Sequence, residues 1–374
     1  MFEVKNTQIF KAVLPQSTEQ LARHLEELPY GDIPDTQLHR DSFIQNPITG
    51  ELVTPFTGGY SFIMRRDEKV IPPSTLKEEV NKAVASLEAE YGRKATRKER
   101  SDIKEDVLVT LLPRAFTKPK FITCLYLTGS NYLIVDTSSA VMASAVVRNL
   151  VKVCGSVKTT TIHVSDIKNG LATRLKRYIT GSEFDVFGSD LSVGSEIKLS
   201  KPSTGEVIQY SGVDPITDSQ LEENLEEGFI VEHVRFTYID DLVQFTLNKQ
   251  FRLGSMSWAS INHEEDTQDA AFEWRHEAAI QAHIIGNIVD ALCKALDYQE
   301  PKDEQQDPGQ PTHNQKAPEK RAEQEPAGEN KAGSKSPVNT GDPLADYWAN
   351  SASESVKNTP PKVVDLGPSE GGAQ

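Results

Sequence analysis

The chain has 374 residues, a net charge of −15 and a hydrophobic content of 37%, so it is long enough to bury a sizeable core in two or three domains. No apolar run approaches the roughly 18 residues that a membrane span needs, and the N-terminus lacks the charged and apolar segments of a signal peptide. Its three cysteines, Cys124, Cys154 and Cys293, show no metal-ligand spacing, which favours a reducing, cytoplasmic compartment over a disulfide framework or a zinc site.

Residues 1–66 begin an α+β region. Their hydrophobic patterns predict a strand near Val4–Leu14 and a helix near Thr18–Leu28, which Pro29 ends. A strand pair, Glu51–Phe56 and Tyr60–Arg66, follows and is joined at the adjacent glycines 58 and 59. We expect this region to continue after an insertion, in residues 121–180.

The insertion, residues 67–120, has the clearest pattern and predicts a protruding antiparallel helical hairpin. One apolar stripe marks its first helix, which a capping box at Thr75–Glu78 begins and Gly92 ends: Leu76, Val80, Val84, Leu87 and Tyr91. A second capping box, Thr96–Glu99, begins a helix that Pro113 stops. The turn between the helices carries five cations, with Glu99 as the one acid among them: Arg93, Lys94, Arg97, Lys98 and Arg100.

The remaining ordered part is predicted in chain order from alternating and helical patterns. Residues 121–180 should hold these elements: a β-hairpin of Phe121–Leu127 and Asn131–Asp136, a helix near Ser138–Cys154, a strand at Thr159–Val164 and a weaker helix over Ile167–Tyr178. Residues 181–296 form a second α+β region with these elements: strands at Ser195–Ser200 and Glu206–Tyr210, a helix at Thr217–Glu227, a meander of Phe229–Asp240, Leu242–Leu247 and Phe251–Ser257, and a long helix from about Thr267 to Leu296. The fold class is therefore α+β, with antiparallel sheets and packed helices.

The tail, residues 297–374, changes composition abruptly and loses all apolar periodicity. Such a segment cannot bury enough surface to offset its chain entropy, so it is predicted to be disordered and acidic. One patch combines acidic and large apolar residues and is either a partner-docking motif or a chance cluster: Asp342, Leu344, Tyr347 and Trp348.

Catalytic patterns are weak. The chain has no phosphate-binding, dinucleotide-binding, zinc-protease or nucleophile-elbow motif. Several short matches recur readily by chance: Ser101 with Lys104, Ser165 with Lys168, the acidic run 263–266, and His276 with His283. Asp185, Asp190, Glu196 and Lys198 faintly suggest a metal-dependent nuclease, in which carboxylates hold Mg²⁺. We therefore expect that the protein is not an enzyme and that it binds neither a metal nor a cofactor.

The distribution of charge points instead to a polyanion. Residues 65–180 hold 21 basic and 12 acidic side chains, a net charge of +9, whereas residues 1–64, 181–296 and 297–374 carry −4, −14 and −6. The basic excess continues beyond the turn: Arg114, Lys118, Lys120, Arg148, Lys152 and Lys158. Because few aromatics are interleaved, these cations suit phosphates better than unpaired bases. The alternative is a turn that only confers solubility.

A family resemblance appears over residues 68–118. The runs EKVIPP, LEAE and RK, and above all LLPRAF at residues 111–116, resemble the bacterial recombination-associated RdgC proteins. VKN at residues 4–6 and VQF at residues 243–245 also match, and the similarity is collinear over about residues 1–296.

That resemblance implies a ring-shaped homodimer that encircles duplex DNA without sequence preference and restrains the RecA recombinase near the nucleoid. It places Arg93 and Lys94 on a DNA-contacting finger and Phe116 at a dimer gate. An exposed Phe116 between Arg114 and Lys118 would suit an interface, and a core phenylalanine is the alternative. The family's Lys-Gln gate loop is not reproduced near Ser211–Asp214. A second hypothesis is an acidic adaptor that recruits a partner through its tail, and a nuclease is a third.

Overall fold

The computed structural model describes residues 2–297, apart from residues 156, 162–166, 181–185, 213–218, 240 and 260–268, together with residues 363–366. In the described part of the chain the helices are α1 (Thr18–Leu25), α2 (Pro73–Tyr91), α3 (Arg97–Leu111), α4 (Ala140–Cys154), α5 (Ile167–Ile179), α6 (Ser219–Glu226) and α7 (Ala270–Ala295). None of these helices is long and apolar enough to cross a membrane.

The strands form one large sheet that is almost entirely antiparallel. They are β1 (Thr7–Ala12), β2 (His39–Ile44), β3 (Val53–Phe56), β4 (Gly59–Val70), β5 (Phe116–Leu127), β6 (Tyr132–Asp136), β7 (Thr159–Thr161), β8 (Leu191–Lys201), β9 (Glu206–Tyr210), β10 (Ile230–Tyr238), β11 (Val243–Asn248), β12 (Leu253–Trp258) and β13 (Val363–Leu366). Their order is β13-β9-β8-β10-β11-β12-β1-β6-β5-β4-β2, with β3 on β4 and β7 on β1. The α+β class with antiparallel sheet is thus confirmed.

Helices pack on both faces of this sheet. A large core contains residues of α7 and α5 against one face, including Ile285, Leu175 and the β11 residue Phe245. A second core lies on the opposite face, where α1 and α4 cover the strands of the first half, with Leu21 and Val146 buried against them. Strand residues alternate between the cores: Leu125 belongs to the large core, whereas Cys124 belongs to the second.

A long two-stranded arm supports α2 and α3. β4 and β5 pair over twelve residues each, from Gly59 opposite Leu127 to Val70 opposite Phe116. The predicted strands, which ended at Arg66 and began at Phe121, were therefore too short. Charged residues at 65–69 and 118–120 hid the extension, because their partners lie across the ladder and cannot be read from one strand. A small third core joins the arm to the helices: Leu38, Ile71, Leu76, Leu108 and Leu112.

Helix ends test the capping predictions. Thr96 and Glu99 form the predicted capping box at the start of α3. The predicted box at Thr75–Glu78 is wrong, because α2 already begins at Pro73, with Pro72 at the N-cap and no side-chain cap. Proline suits a first helical position, since it has no N–H to leave unsatisfied. The meander β10–β12 and the long helix α7 are confirmed within about three residues.

Two elements were not predicted. β2 reads as a polar stretch, HRDSFI, but it pairs with β4, where Asp41 accepts hydrogen bonds from Arg66 and Asn149. β13 lies in the tail and pairs in parallel with β9, so the prediction of a tail without regular structure is wrong for residues 363–366. The rest of the tail after Asp297 lies outside the described residues.

Candidate nucleic-acid interface

The turn between α2 and α3, residues 92–96, is held by backbone and side-chain hydrogen bonds. Gly92 ends α2 with φ of 64°, a conformation that favours glycine, and donates its N–H to the carbonyl of Glu88 at 3.0 Å. The Glu88 carboxylate accepts the N–H of Ala95 at 2.9 Å. At the start of α3, Glu99 accepts the N–H of Thr96 at 2.8 Å and the Thr96 hydroxyl accepts the N–H of Glu99. These contacts fix the positions of the side chains that the turn presents.

Two of the five predicted cations belong to this internal framework. Arg93 makes a bidentate contact with Glu99, with N–O distances of 2.9 and 2.6 Å, and Arg100 pairs with Glu88 at 2.9 Å. The hydrogen bonds from Arg93 and from Thr96 lower the pKa of Glu99 to about 2. Arg93 and Arg100 therefore stabilise the turn. The sequence suggested that both were free to contact a polyanion, but each is held by an acidic side chain.

The other three cations are presented to solvent. Lys94, Arg97 and Lys98 are exposed, and none of them makes an ion pair with a residue that the structure describes. Because no direct ion pair holds them, a phosphate can replace their counterions without first breaking a salt bridge. The cations best suited to a polyanion are these three, one in the turn and two in the first turn of α3, and we call them the free triad.

The arm divides its cations in the same way. Lys120 pairs with Glu68 at 2.6 Å, Arg66 with Asp41 at 2.5 Å, and the Lys69 ammonium donates to the Pro34 and Asp35 carbonyls. In contrast, Arg114 and Lys118 are exposed and have no ion pair among the described residues. Lys120 is thus less available for phosphate contact than the sequence suggested, whereas Arg114 and Lys118 remain candidates for phosphate contact.

Phe116 is 85% exposed at the end of the arm, where its pairing partner Val70 is 42% exposed. Within this chain it is not a core residue, which removes the alternative that the sequence left open.

The sheet register shows which of these residues share a side. Lys118 lies opposite Glu68, two positions along β5 from Lys120 and four from the second-core residue Ile122. Because side chains two apart point to the same face, Lys118 lies on the side of the sheet that α4 covers. On α4 the exposed residues Arg148 and Lys152 are one helical turn apart.

Three further cations lie on this side that the distribution of charge did not single out for phosphate contact. Beyond α4 the face formed by β8, β10, β11 and β12 has no helix packed on it among the described residues. Lys198, Arg235 and Arg252 lie on this uncovered face, and Arg235 donates to Gln244 at 3.1 Å. The regional charge of −14 concealed them, although the alternation of buried and part-buried residues from Val234 onward in β10 and throughout β11 could have located Arg235.

The catalytic candidates are not brought together. Asp190 precedes β8 and Glu196 lies six residues further along the chain. Bulges shorten this stretch to the length of about four residues of the partner strand β10, so the two residues are separated by roughly 14 Å. His276 stacks on Phe272, and His283 contacts the carbonyl of Thr57 at 3.0 Å. Ser101 and Lys104 lie on α3. No group of three potential metal ligands occurs among the described residues.

Other predicted residues lie outside the described part of the chain. They are Ser165, Asp185, the acidic run 263–266, most of the loop at Ser211–Asp214, and the tail residues Asp342, Leu344, Tyr347 and Trp348.

Comparison with protein families matches residues 1–299 to a family described as "Putative exonuclease, RdgC". The chain belongs to the RdgC family. Curated relatives carry the name Recombination-associated protein RdgC. The protein from Psychromonas ingrahamii is 24% identical over 302 residues, 78% of this chain and 97% of the relative. Those from Laribacter hongkongensis and Actinobacillus pleuropneumoniae serotype 3 are 26% and 28% identical over 271 residues, covering 72% and 71% of this chain and 83% and 86% of each relative.

The family match confirms the resemblance seen at residues 68–118. It ends at residue 299, so most of the tail lies beyond it. The family description and the relatives' names point to different activities, an exonuclease and a role in recombination.

Proposed function

We propose that this RdgC-family protein binds duplex DNA through phosphate contacts, without reading bases. The observation that carries the proposal is the free triad, Lys94, Arg97 and Lys98, which is exposed where α2 turns into α3 and has no ion pair among the described residues. Cations of this kind attract any duplex and release its counterions on contact. Arg114 and Lys118 extend the same contact along the arm.

The protein acts as a homodimer that encircles the duplex, with α2 and α3 as a protruding antiparallel finger and Phe116 at a contact between subunits. An aromatic side chain that is 85% exposed and flanked by cations supports this role, because interface anchors are apolar residues with charge at the rim. A ring on DNA would obstruct filament growth, so the protein restrains a RecA-type recombinase in the cytoplasm, at the nucleoid. The relatives' association with recombination supports this direction.

We propose that the protein binds DNA without cleaving it. The second candidate is an exonuclease, which the family description favours. The spacing of Asp190 and Glu196 supports binding, since ligands of one Mg²⁺ must lie within a few ångströms of each other. Incubation with end-labelled duplex and Mg²⁺ separates the two. Shortening of the labelled strand that persists through purification would establish the exonuclease.

Salt-dependent retention tests encirclement. The protein is loaded on a closed circular duplex and on the same duplex linearised, and both are then washed with increasing salt. A closed ring stays on the circle after phosphate contacts are screened, but slides off linear ends. Equal loss from both forms would reject encirclement, whereas salt-independent binding to both would reject phosphate contact itself. Sedimentation gives the subunit number, and a monomer at all concentrations also rejects the ring.

A further inference from the structure

The outer edge of β9 is occupied by a strand from the far end of the chain. β9 pairs with β8 on one side and with β13 on the other, in parallel, with Val207 opposite Val363 and Tyr210 opposite Leu366. An uncovered strand edge presents unpaired N–H and C=O groups and readily accepts another strand. β13 satisfies this edge over four residues.

The apolar and acidic residues of β13 match the residues that lie opposite them in β9 and β8. We call each line of directly opposed residues across these three strands a row. Directly opposed residues in neighbouring strands share a face of the sheet. Val364 extends the row of Leu199 and Ile208, which pack against the large core. Leu366 likewise extends the row of Ile197 and Tyr210, two buried residues of that core.

The acidic residue of β13 falls in the opposite set of rows. Asp365 extends the row of Gln209 and Lys198, which belongs to the uncovered face. The segment VVDL therefore has its last two apolar residues in rows that face the core and its acid in the row of a lysine. A register shifted by one residue would reverse this match.

We propose that the β9 edge is a strand-docking site and that its occupant is the C-terminal strand of the same chain. The strand binds by main-chain hydrogen bonds, and the alternation of apolar and acidic residues selects its register. Because the family match ends at residue 299, this occupant is an addition to the family fold and is independent of the proposed DNA contacts.

The length of the linker favours docking within one chain over docking between two. Residues 298–362 separate the end of the described α7 region from β13. A flexible connection of 65 residues would have a root-mean-square end-to-end distance of about 45 Å. That distance corresponds to an effective concentration in the millimolar range, far above the micromolar concentration of a second copy.

Proline substitutions in the full-length chain test the pairing. Successive N–H groups of a strand point to opposite sides, so one of Val364 and Asp365 donates toward β9 and the other away from it. We expect either Val364→Pro or Asp365→Pro to speed hydrogen exchange of β9 amides at least tenfold, with the other variant as its matched control. Faster exchange in both variants still reports pairing, because proline also restricts the preceding residue. Unchanged exchange in both overturns the docking.

A peptide competition identifies the occupant. A fluorescent peptide of residues 360–369 should bind the full-length proline variant that opens the edge, and should bind the wild type at least tenfold more weakly, because its own strand fills the site. Equal binding to both proteins overturns the proposal. Sedimentation separates the two sources of the strand: a mass that falls in the opened variant would show docking from a second copy and overturn docking within one chain. DNA affinity plays no part in these measurements, so the proposed function can fail separately.

Discussion

The division of the turn's cations into a free triad and an ion-paired couple makes a specific prediction about DNA binding. Replacing Lys94, Arg97 and Lys98 together with glutamine should weaken binding to all duplex sequences alike, since phosphates carry no base information. The ion pairs of Arg93 and Arg100 and the capping box of α3 are left intact, so the turn keeps its structure.

The magnitude follows from counterion release. Each lost phosphate contact lowers the slope of log affinity against log salt by about 0.9, so three contacts lower it by about 2.7. Between 50 and 200 mM salt the wild type should then lose about 40-fold more affinity than the triple variant does. Fluorescence anisotropy with a random duplex, repeated across this range, measures both quantities.

Matched variants distinguish local contact from a general loss of charge. Lys77→Gln removes an exposed cation near the start of α2, about 20 Å from the turn along the helix. Combined Arg93→Gln and Arg100→Gln removes two cations that must first leave Glu99 and Glu88 to contact a phosphate. We expect the slope to be unchanged in the first control and to change less than 0.9 per residue in the second. A triple variant that keeps the wild-type slope would refute the assignment of the free triad.

Three other predictions concern the tail and the fold. Truncation after Leu296 removes a segment of net charge −6 and should leave duplex affinity equal or slightly tighter, as measured by anisotropy, and loss of folding would contradict it. Gly58→Ala should lower the melting temperature, because the new Cβ would lie 2.4 Å from His283 Nε2 at a φ of 86°, whereas Gly129→Ala meets nothing within 4 Å and should not. At Asp41, burial raises the pKa, but Arg66 and Asn149 outweigh it and hold the pKa below its ordinary 3.8. Stability from this group is therefore present above that pH and lost as pH falls further, and denaturant unfolding should show a weaker acid dependence in Asp41→Asn.

Local sequence signals predicted local structure. The capping box at Thr96 and Glu99, the α3 helix and the three strands of the meander depend on contacts between residues close in sequence, and each pattern is long enough to read. β2 was not predicted because its charged residues are paired with distant partners: the half-buried Asp41 accepts hydrogen bonds from Arg66 and Asn149, which lie 25 and 108 positions away. In isolation such a stretch is typical of a loop.

The local count of basic residues predicted the candidate site, and the ion pairs in the structure corrected which of those residues are available. Counting charges located the basic turn, but it could not show that Arg93 and Arg100 are bound to acids or that Lys120 pairs with Glu68, 52 positions earlier. The same averaging concealed Lys198, Arg235 and Arg252 in an acidic region. Strand order joins the two halves of the sheet through β1, which pairs with β6 and β12 across more than 100 residues, and no local pattern specifies that junction.

Phe116→Ser tests whether this side chain contacts a second subunit. With 85% of the residue exposed, the chain itself covers only about 30 Å² of it, so at roughly 25 cal/mol per Å² the substitution costs less than about 1 kcal/mol of folding stability. At an interface the loss appears instead as weaker association, because the ring is desolvated only by the partner. Sedimentation at several concentrations should show earlier dissociation, and retention on circular DNA should fall, while the melting temperature of the monomer is kept.

Two controls calibrate that experiment at the same sheet. Phe62→Ala removes a fully buried ring and should cost about 3–5 kcal/mol, which sets the scale for a core position. Phe121→Ser lies on the other face of the arm, 58% exposed beside Arg65, and should change neither association nor retention. If Phe116→Ser sediments as the wild type does at every concentration, the ring of Phe116 is simply solvated and the subunit contact lies elsewhere. If it melts as early as Phe62→Ala, the arm depends on Phe116 for folding, and the assignment of this residue to a gate is wrong.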